Sequence, residues 1–447
     1  MIIPDEVKEA IRARVDLGAL IGEYVRLQKS GPSLKGRCPF HDEKSPSFYV
    51  HPHRGFFKCF GCDAKGDVFS FLMRMEGLGF GEAARRLAER AGVEIPNADP
   101  REEEAYRKKR QREERLLAIT EAATGYFRSQ LEEHLLGEIA RAAIASRGVD
   151  APTAEAFRLG YAPHGWDGLT RFLAAGGWSP REAEEVGLIV PRRGGGGHYD
   201  RFRHRLMFTI TDHRGRIVAF SGRVLPPPPG EEDDGKGGKY INSPETPLYT
   251  KGEVLFGLHE GRVEIRRRGW ALLCEGNFDL LMLHQAGFSN SVAPLGTALT
   301  PAQAELLRRS AERVVLLFDG DAAGARAVRA AHPILAKAGL PAKVVTLPPG
   351  DDPDSFLRAH GAEALQQRVD GAPGIVEHLV EDAAARARDD AAGKAEAIAE
   401  LGPVLTLVTS PIERQLHLER IGRAFGIRDV EAIKEQLRRG ARAGRTR

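Results

Sequence analysis

"LLCEGNFDLL", residues 272–281, begins as an apolar run, stops at Cys274, and then presents Glu275, a glycine and, four residues after the glutamate, Asp279. A strand buried on both faces carries no carboxylate inside it without a reason, so the two acids mark its carboxyl end. The pattern around it repeats. "WALLC" precedes a helix expected over 277–286 and stopped by Gly287. "SVAPL" precedes a helix starting at Thr300-Pro301, where Gln303 completes a capping box. "RVVLLF" precedes a helix over 322–338, and "KVVTL" follows. Apolar strands alternating with helices define a mostly parallel sheet covered on both faces, and such sheets bind ligands outside the carboxyl ends of their strands.

Three acidic groups fall at those ends: Glu275 with Asp279, Asp319 with Asp321 in "FDGDAAG", and Asp352 with Asp354 in "GDDPDS". A single D-x-D is as readily a helix N-cap, and Asp321 and Asp354 both precede helices. Three groups on one rim would repel strongly unless cations lie between them. Oxygen-only donors select Mg2+ or Mn2+ over zinc, and two such ions suit phosphoryl transfer.

A second constellation lies near the start. "CPFH" (Cys38, His41) and "CFGC" (Cys59, Cys62) are separated by 17 residues. These four side chains supply the soft and borderline ligands of one tetrahedral, closed and therefore structural zinc site. His51 and His53 are spare candidates. The segment between is aromatic and basic: Phe48, Tyr49, Phe56, Phe57 and Phe60 with Lys44, Arg54 and Lys58. Exposed aromatics among cations suit single-stranded nucleic acid, although about half of these rings are expected in the core of a small sheet.

The bulk composition narrows the classes. A chain of 447 residues has room for several domains, and no apolar run approaches a membrane span. The amino terminus has no export pattern, and four cysteines are too few for a disulfide scaffold, so a cytoplasmic protein is expected. Residues 192–268 hold 15 Lys/Arg against 10 Asp/Glu, and residues 438–447 hold five arginines and no acid, a distribution suited to polyanions. "GEEDDGKG" lacks the Ser/Thr of a P-loop and carries four acids that repel phosphate.

With these motifs in place, the chain resembles bacterial replicative primases of the DnaG type. "CPFHDEKSPSFYV…FFKCFGCDAKGDVFSF" is similar to their zinc ribbon, and "RFRHRLMFTITDHRGRIVAFSGRVL…KYINSPETPLYTKGEVLFGL" to their polymerase signature. "EG…D", "LGTALT", "FDGDAAG" and "DDPDS" resemble the Toprim fold. The resemblance implies a multidomain α+β protein. A zinc ribbon (1–95) leads through a linker (96–112) to a basic mixed α+β part (113–268). An α/β Toprim subdomain (269–370), a helical subdomain (371–437) and an Arg-rich tail (438–447) follow. It implies synthesis of short RNA on single-stranded DNA from NTPs, at the replication fork. The metal-site acids would be Glu275, Asp279, Asp319, Asp321, Asp352 and Asp354, with Glu275, Asp319 and Asp321 catalytic and Glu275 a general base or first metal ligand. Two or more Mg2+ or Mn2+ ions would serve the reaction and one Zn2+ the ribbon. Arg147, Arg201, Arg203, Arg223, Lys239 and Lys251 would handle nucleotide and template. A nuclease-like Toprim enzyme and a non-catalytic, zinc-dependent single-strand binder are the alternatives. Asn277 and Phe278 depart from the family's usual aromatic and Met. No segment is left for the family's helicase-docking domain, so the docking domain is expected to be absent, while a replicative helicase and a single-strand-binding protein are both candidate partners.

Overall fold

The computed structural model describes residues 3–41, 43, 45–95, 100–230, 238–296 and 298–443. Lys44, the start of the expected linker at 96–99, residues 231–237 of "GEEDDGKG", Thr297 of "LGTALT", and Arg445 and Arg447 of the tail lie outside the described residues. The chain divides into two units, residues 1–251 with 309–311, and 252–308 with 312–447.

The first unit opens with five antiparallel strands in sequence order: Gln28–Ser30, Ser33–Gly36, Phe48–His51, Phe56–Cys59 and Lys65–Gly66. Alternation sorts the aromatic run: Phe48 and Phe57 are fully buried and stack at 5.1 Å, while Tyr49 and Phe60 lie outside. The helix Val68–Glu76 starts at Asp67, whose carboxylate accepts from Ser70 N, and ends at left-handed Gly77. The helix Phe80–Ala91 ends at left-handed Gly92.

A helix of 34 residues, Pro100–Glu133, follows, so residues 100–112 of the expected linker are helical. Proline is favoured at a first helical position, which is why Pro100 begins this helix instead of prolonging the linker. The strands Arg205–Thr211 and Ile217–Val224 form a hairpin inside a four-stranded antiparallel sheet with Gly160–Ala162 and Tyr240–Asn242.

The second unit is built on a parallel sheet whose spatial order is Ser291–Val292, Trp270–Leu273, Arg313–Leu317, Ala342–Val345. The helix Leu258–Arg268 belongs with this unit, because Gly261 is pressed against Ser289 O and Phe256 bridges to Ala293; the boundary expected at 268 therefore falls at 251. The Thr300/Gln303 capping box forms at 3.0 and 3.1 Å. Beyond the sheet come the helices Ile375–Arg386, Ala391–Glu400, Gly402–Thr406, Pro411–Phe425 and Val430–Ala443, the last including Arg438, Arg439 and Arg442. Among the described residues no helix is long and apolar enough to cross a membrane.

Candidate active site

The strands Trp270–Leu273 and Arg313–Leu317 are central neighbours, and the chain passes from them to strands on opposite sides. Their carboxyl ends therefore frame the crevice where such sheets bind ligands. Glu275 and Asp319 each sit two residues beyond the last residue of one of these strands. Glu275 is half-buried, its Oε1 has no hydrogen-bond partner among the described residues, and burial, then Asp319 and Asp321, pushes its carboxyl up to about 6. Asp279 is 9% exposed; burial first, then Asp352, Asp319 and Asp354, pushes it up to about 7. Each acidic group therefore lies within electrostatic reach of another.

Capping and rim geometry coincide. Asp321 accepts through Oδ1 from Ala323 N and Gly324 N at 2.8 Å, Asp352 through Oδ1 from Ser355 N at 2.7 Å, and Asp279 through Oδ2 from Gly276 N at 3.0 Å. Each carboxylate uses one oxygen in these bonds. Asp354 differs from expectation: Asp352 is the N-cap, while Asp354 lies within the helix, fully buried, with Arg358 at 3.0 Å. Two glycines set the spacing. A β-carbon at Gly320 would meet Pro348 O at 2.3 Å, and one at Gly324 would meet Asp319 O at 2.1 Å. Asn277 and Phe278 are buried in the first turn of the helix Asn277–Gln285.

The acids fit hard divalent ions: the donors are oxygens, and one buried carboxylate oxygen is unpartnered. Among the described residues only the zinc set, and not the acids, is gathered closely enough for three or more side chains to hold one ion as they stand.

The zinc ligands are closer. One ligand atom from each of Cys38, His41, Cys59 and Cys62 lies within 4.8 Å of the others. Cys38 Sγ to Cys62 Sγ and Cys59 Sγ to His41 Nδ1 are both 3.7 Å. A zinc tetrahedron with bonds of about 2.3 Å has edges of about 3.8 Å, so the set fits. His41 Nε2 turns to Glu43 at 3.5 Å, and Glu43 also accepts from Cys38 N at 2.6 Å, an outer shell that orients the ligands. Although burial opposes it, hydrogen bonds from Ser47 and from Cys62 and Gly61 N hold the Cys59 thiol below its ordinary value. His51 instead pairs with Ser33 at 2.7 Å and stacks on Phe56.

The expected cations lie in the first unit. Burial, with little carboxylate compensation, lowers the pKa of Arg201 and Arg203, so both are cations held partly out of water. Arg223 donates to Tyr240 Oη at 2.9 Å; Lys239 is exposed; Arg147 ends the helix Gly137–Ser146; Lys251 is half-buried. The sequence reading missed Trp166, Tyr199 and Arg192, which gather around Arg203. They come from separate segments and leave no periodic signal.

Four family models match: "CHC2 zinc finger" over residues 3–103, "DNA primase catalytic core, N-terminal domain" over 126–262, "Toprim-like" over 272–357, and "DnaB-helicase binding domain of primase" over 376–429. Together with the acid rim they define a zinc-ribbon protein with a Toprim catalytic fold. The DNA primase of Myxococcus xanthus is 41% identical over 444 residues, covering 97% of this chain and 70% of the relative. The crystal structure of the zinc-binding and RNA polymerase domains of Aquifex aeolicus primase is 32% identical, covers 96% of this chain and 98% of its own, and superposes with a TM-score of 0.61. A DnaG primase catalytic domain bound to ssDNA is 30% identical over 72% of this chain and 99% of its own, with a TM-score of 0.59. The chain belongs to the DnaG-type DNA primases. It spans 60–72% of the length of the first curated relatives it matches.

One expectation is overturned. A helicase-binding model matches 376–429, where the sequence reading found helices and no docking domain. The miss has a physical reason: a docking surface on amphipathic helices needs no fixed spacing of chemical groups, and so leaves none to read.

Proposed function

We propose that this chain synthesises short RNA primers on a single-stranded DNA template. The observation that carries the reading is the acid rim at the switch point of the parallel sheet, with Glu275 bearing a buried, unpartnered oxygen beside Asp319 and Asp321. In the proposed step a ribose 3′-oxygen attacks the α-phosphorus of an incoming NTP, a new P–O bond forms, and pyrophosphate leaves. Glu275, Asp279, Asp319, Asp321 and Asp352 would hold Mg2+ or Mn2+, which supply positive charge at the phosphates. Asp354 serves more as the buried partner of Arg358 that holds the third acidic turn. Glu275, whose Oε1 is unpartnered, would serve either as the first metal ligand or as the base that takes the proton of the attacking hydroxyl. Arg201 and Arg203, desolvated cations, are suited to phosphate oxygens, and Arg147, Arg223, Lys239 and Lys251 extend the basic set. The zinc ribbon, with Tyr49 and Phe60 outside and Lys35 and Lys58 within 5.2 and 5.0 Å of their rings, offers a surface for the template. The match over 376–429 supports a replicative helicase as partner.

The test is direct. Protein, single-stranded template and NTPs with Mg2+ or Mn2+ are expected to give short RNA, and Asp319→Ala none, with unchanged folding by circular dichroism. No product from the wild type in either metal refutes the reading; equal product from Asp319→Ala refutes the site.

A further inference from the structure

His204 stands between two of the arginines in "RFRHRL", and its backbone lies in the left-handed region at φ 49°. Few residues other than glycine adopt that conformation, and it persists only where the surroundings enforce it. The side chain is 8% exposed and held at both ring nitrogens. Its Nε2 lies 2.6 Å from Pro226 O and its Nδ1 2.9 Å from Tyr161 Oη. A carbonyl only accepts, so Nε2 carries the ring proton and Nδ1 accepts from the Tyr161 hydroxyl. Tyr161 is fully buried in the strand Gly160–Ala162, and burial pushes its hydroxyl up to about 12, which keeps that proton available to donate. The His204 backbone N–H completes the grip by donating to Pro163 O at 3.1 Å.

This turn decides where the neighbouring cations go. In an unbroken strand Arg203 and Arg205, two residues apart, would share a face. Here they take different partners. Arg205 is 7% exposed and donates through Nη1 to Gly222 O at 2.9 Å and Gly238 O at 3.2 Å. Arg203 donates to Asp200 O at 2.7 Å and lies 4.2 Å from the ring centre of Trp166. One guanidinium is committed to backbone carbonyls, and the other is left half-buried with little carboxylate compensation. A turn alone would be served by glycine, which takes φ above zero without strain. An imidazole pinned at both nitrogens also fixes the direction in which the chain leaves the turn.

We propose that His204 is a positioning residue for primer synthesis: pinned between Tyr161 and Pro226, it directs Arg203 toward a phosphate of the incoming nucleotide or of the template strand. That Arg203 meets a phosphate rests on the primase reading above.

The experiment measures binding by the zinc-loaded full chain in two arms, neither of which makes RNA. One uses a labelled oligothymidine with no NTP and no added Mg2+ or Mn2+; the other uses a fluorescent NTP with Mg2+ and no template. Arg203→Ala is expected to weaken at least one probe roughly tenfold, the worth of one charge-assisted contact. In the oligothymidine arm the loss of a phosphate contact also lowers the slope of log K against log salt by about one. His204→Gly leaves the backbone free to take φ above zero but removes the ring, and is expected to weaken the same probe by a similar factor. The double variant should then bind as Arg203→Ala does, within about twofold, because His204 acts through Arg203. A merely structural residue would lower the melting temperature and multiply its loss of binding with that of Arg203→Ala. Tyr161→Phe removes only the hydroxyl bonded to Nδ1 and takes the place of His204→Gly in the same cycle should the latter not fold. Wild-type binding of both probes by Arg203→Ala or by the variant paired with it, or losses that multiply in the double variant, overturns the proposal. The arm that weakens identifies the phosphate as the nucleotide's or the template's. A wild type that shows this coupling but makes no primer would sink the primase reading and leave the positioning role standing.

Discussion

Gly320→Ala tests whether a close approach of two turns sets the catalytic spacing. Gly320 lies between Asp319 and Asp321, its N donates to Asp351 O at 2.9 Å, and so it joins the second acidic turn to the third. A β-carbon there would lie 2.3 Å from Pro348 O, where ordinary contact begins at 3.4 Å. The obstacle is backbone, so no rotamer change relieves it, and the turns must part by about 1 Å. Overpacking of this kind costs about 1–3 kcal/mol of stability. A displacement of about 1 Å at reacting groups costs on the order of a hundredfold in rate. We therefore expect Gly320→Ala to remain folded, with a melting temperature lower by several degrees, and to synthesise RNA on the order of a hundredfold more slowly. The assays are primer synthesis at saturating NTP and template, and thermal unfolding followed by circular dichroism. Gly125→Ala is the control: Gly125 is exposed in the helix Pro100–Glu133 and open on all sides, so alanine should add about 0.5–1 kcal/mol of stability and leave activity unchanged. Wild-type primer synthesis by Gly320→Ala would refute the reasoning, since the acids would then tolerate the separation that the geometry says they cannot.

Zinc removal by a chelator, or Cys59→Ser, should cost one bound zinc by atomic absorption and expose the first 95 residues to protease, because structural zinc sites contribute about 10–16 kcal/mol to folding; retention of a protease-resistant ribbon without metal would contradict this. Gly61→Ala should act in the same way, since its β-carbon would meet His41 Nε2 at 2.4 Å. Glu76 gives a pH dependence. Burial alone would raise its carboxyl, but Tyr24, Arg214 and Arg86 together hold it below its ordinary 4.5. A carboxyl lowered in the folded state stabilises above its unfolded value, and the contribution is lost as pH falls through the folded value. Glu76→Gln should therefore lower the melting temperature at pH 7, with the gap to wild type closing on acidification below about pH 4; a gap independent of pH would argue against the ion pairs as its source.

Sequence alone determined those features in which chemistry depends on residue type and local spacing. The paired C-x2-H and C-x2-C motifs specified one zinc site because a tetrahedral ion needs four such donors close together, and the four side chains meet as expected. Strand and helix periodicity specified the parallel sheet, and the acids following each apolar run named the rim. Tertiary structure decided what each carboxylate does there. It buried Asp354 against Arg358, made Asp352 the cap, and left Glu275 Oε1 unpartnered, because burial depends on what packs overhead and not on the sequence neighbours. It also sorted the aromatic run into a core pair and an outer pair, a choice that strand alternation permits either way until the register is known. The grouping of Trp166 and Tyr199 around Arg203, a residue the sequence did name, was unreadable for the same reason. Their contacts join segments more than 30 residues apart through a buried Asp200, and distance along the chain carries no record of distance in space.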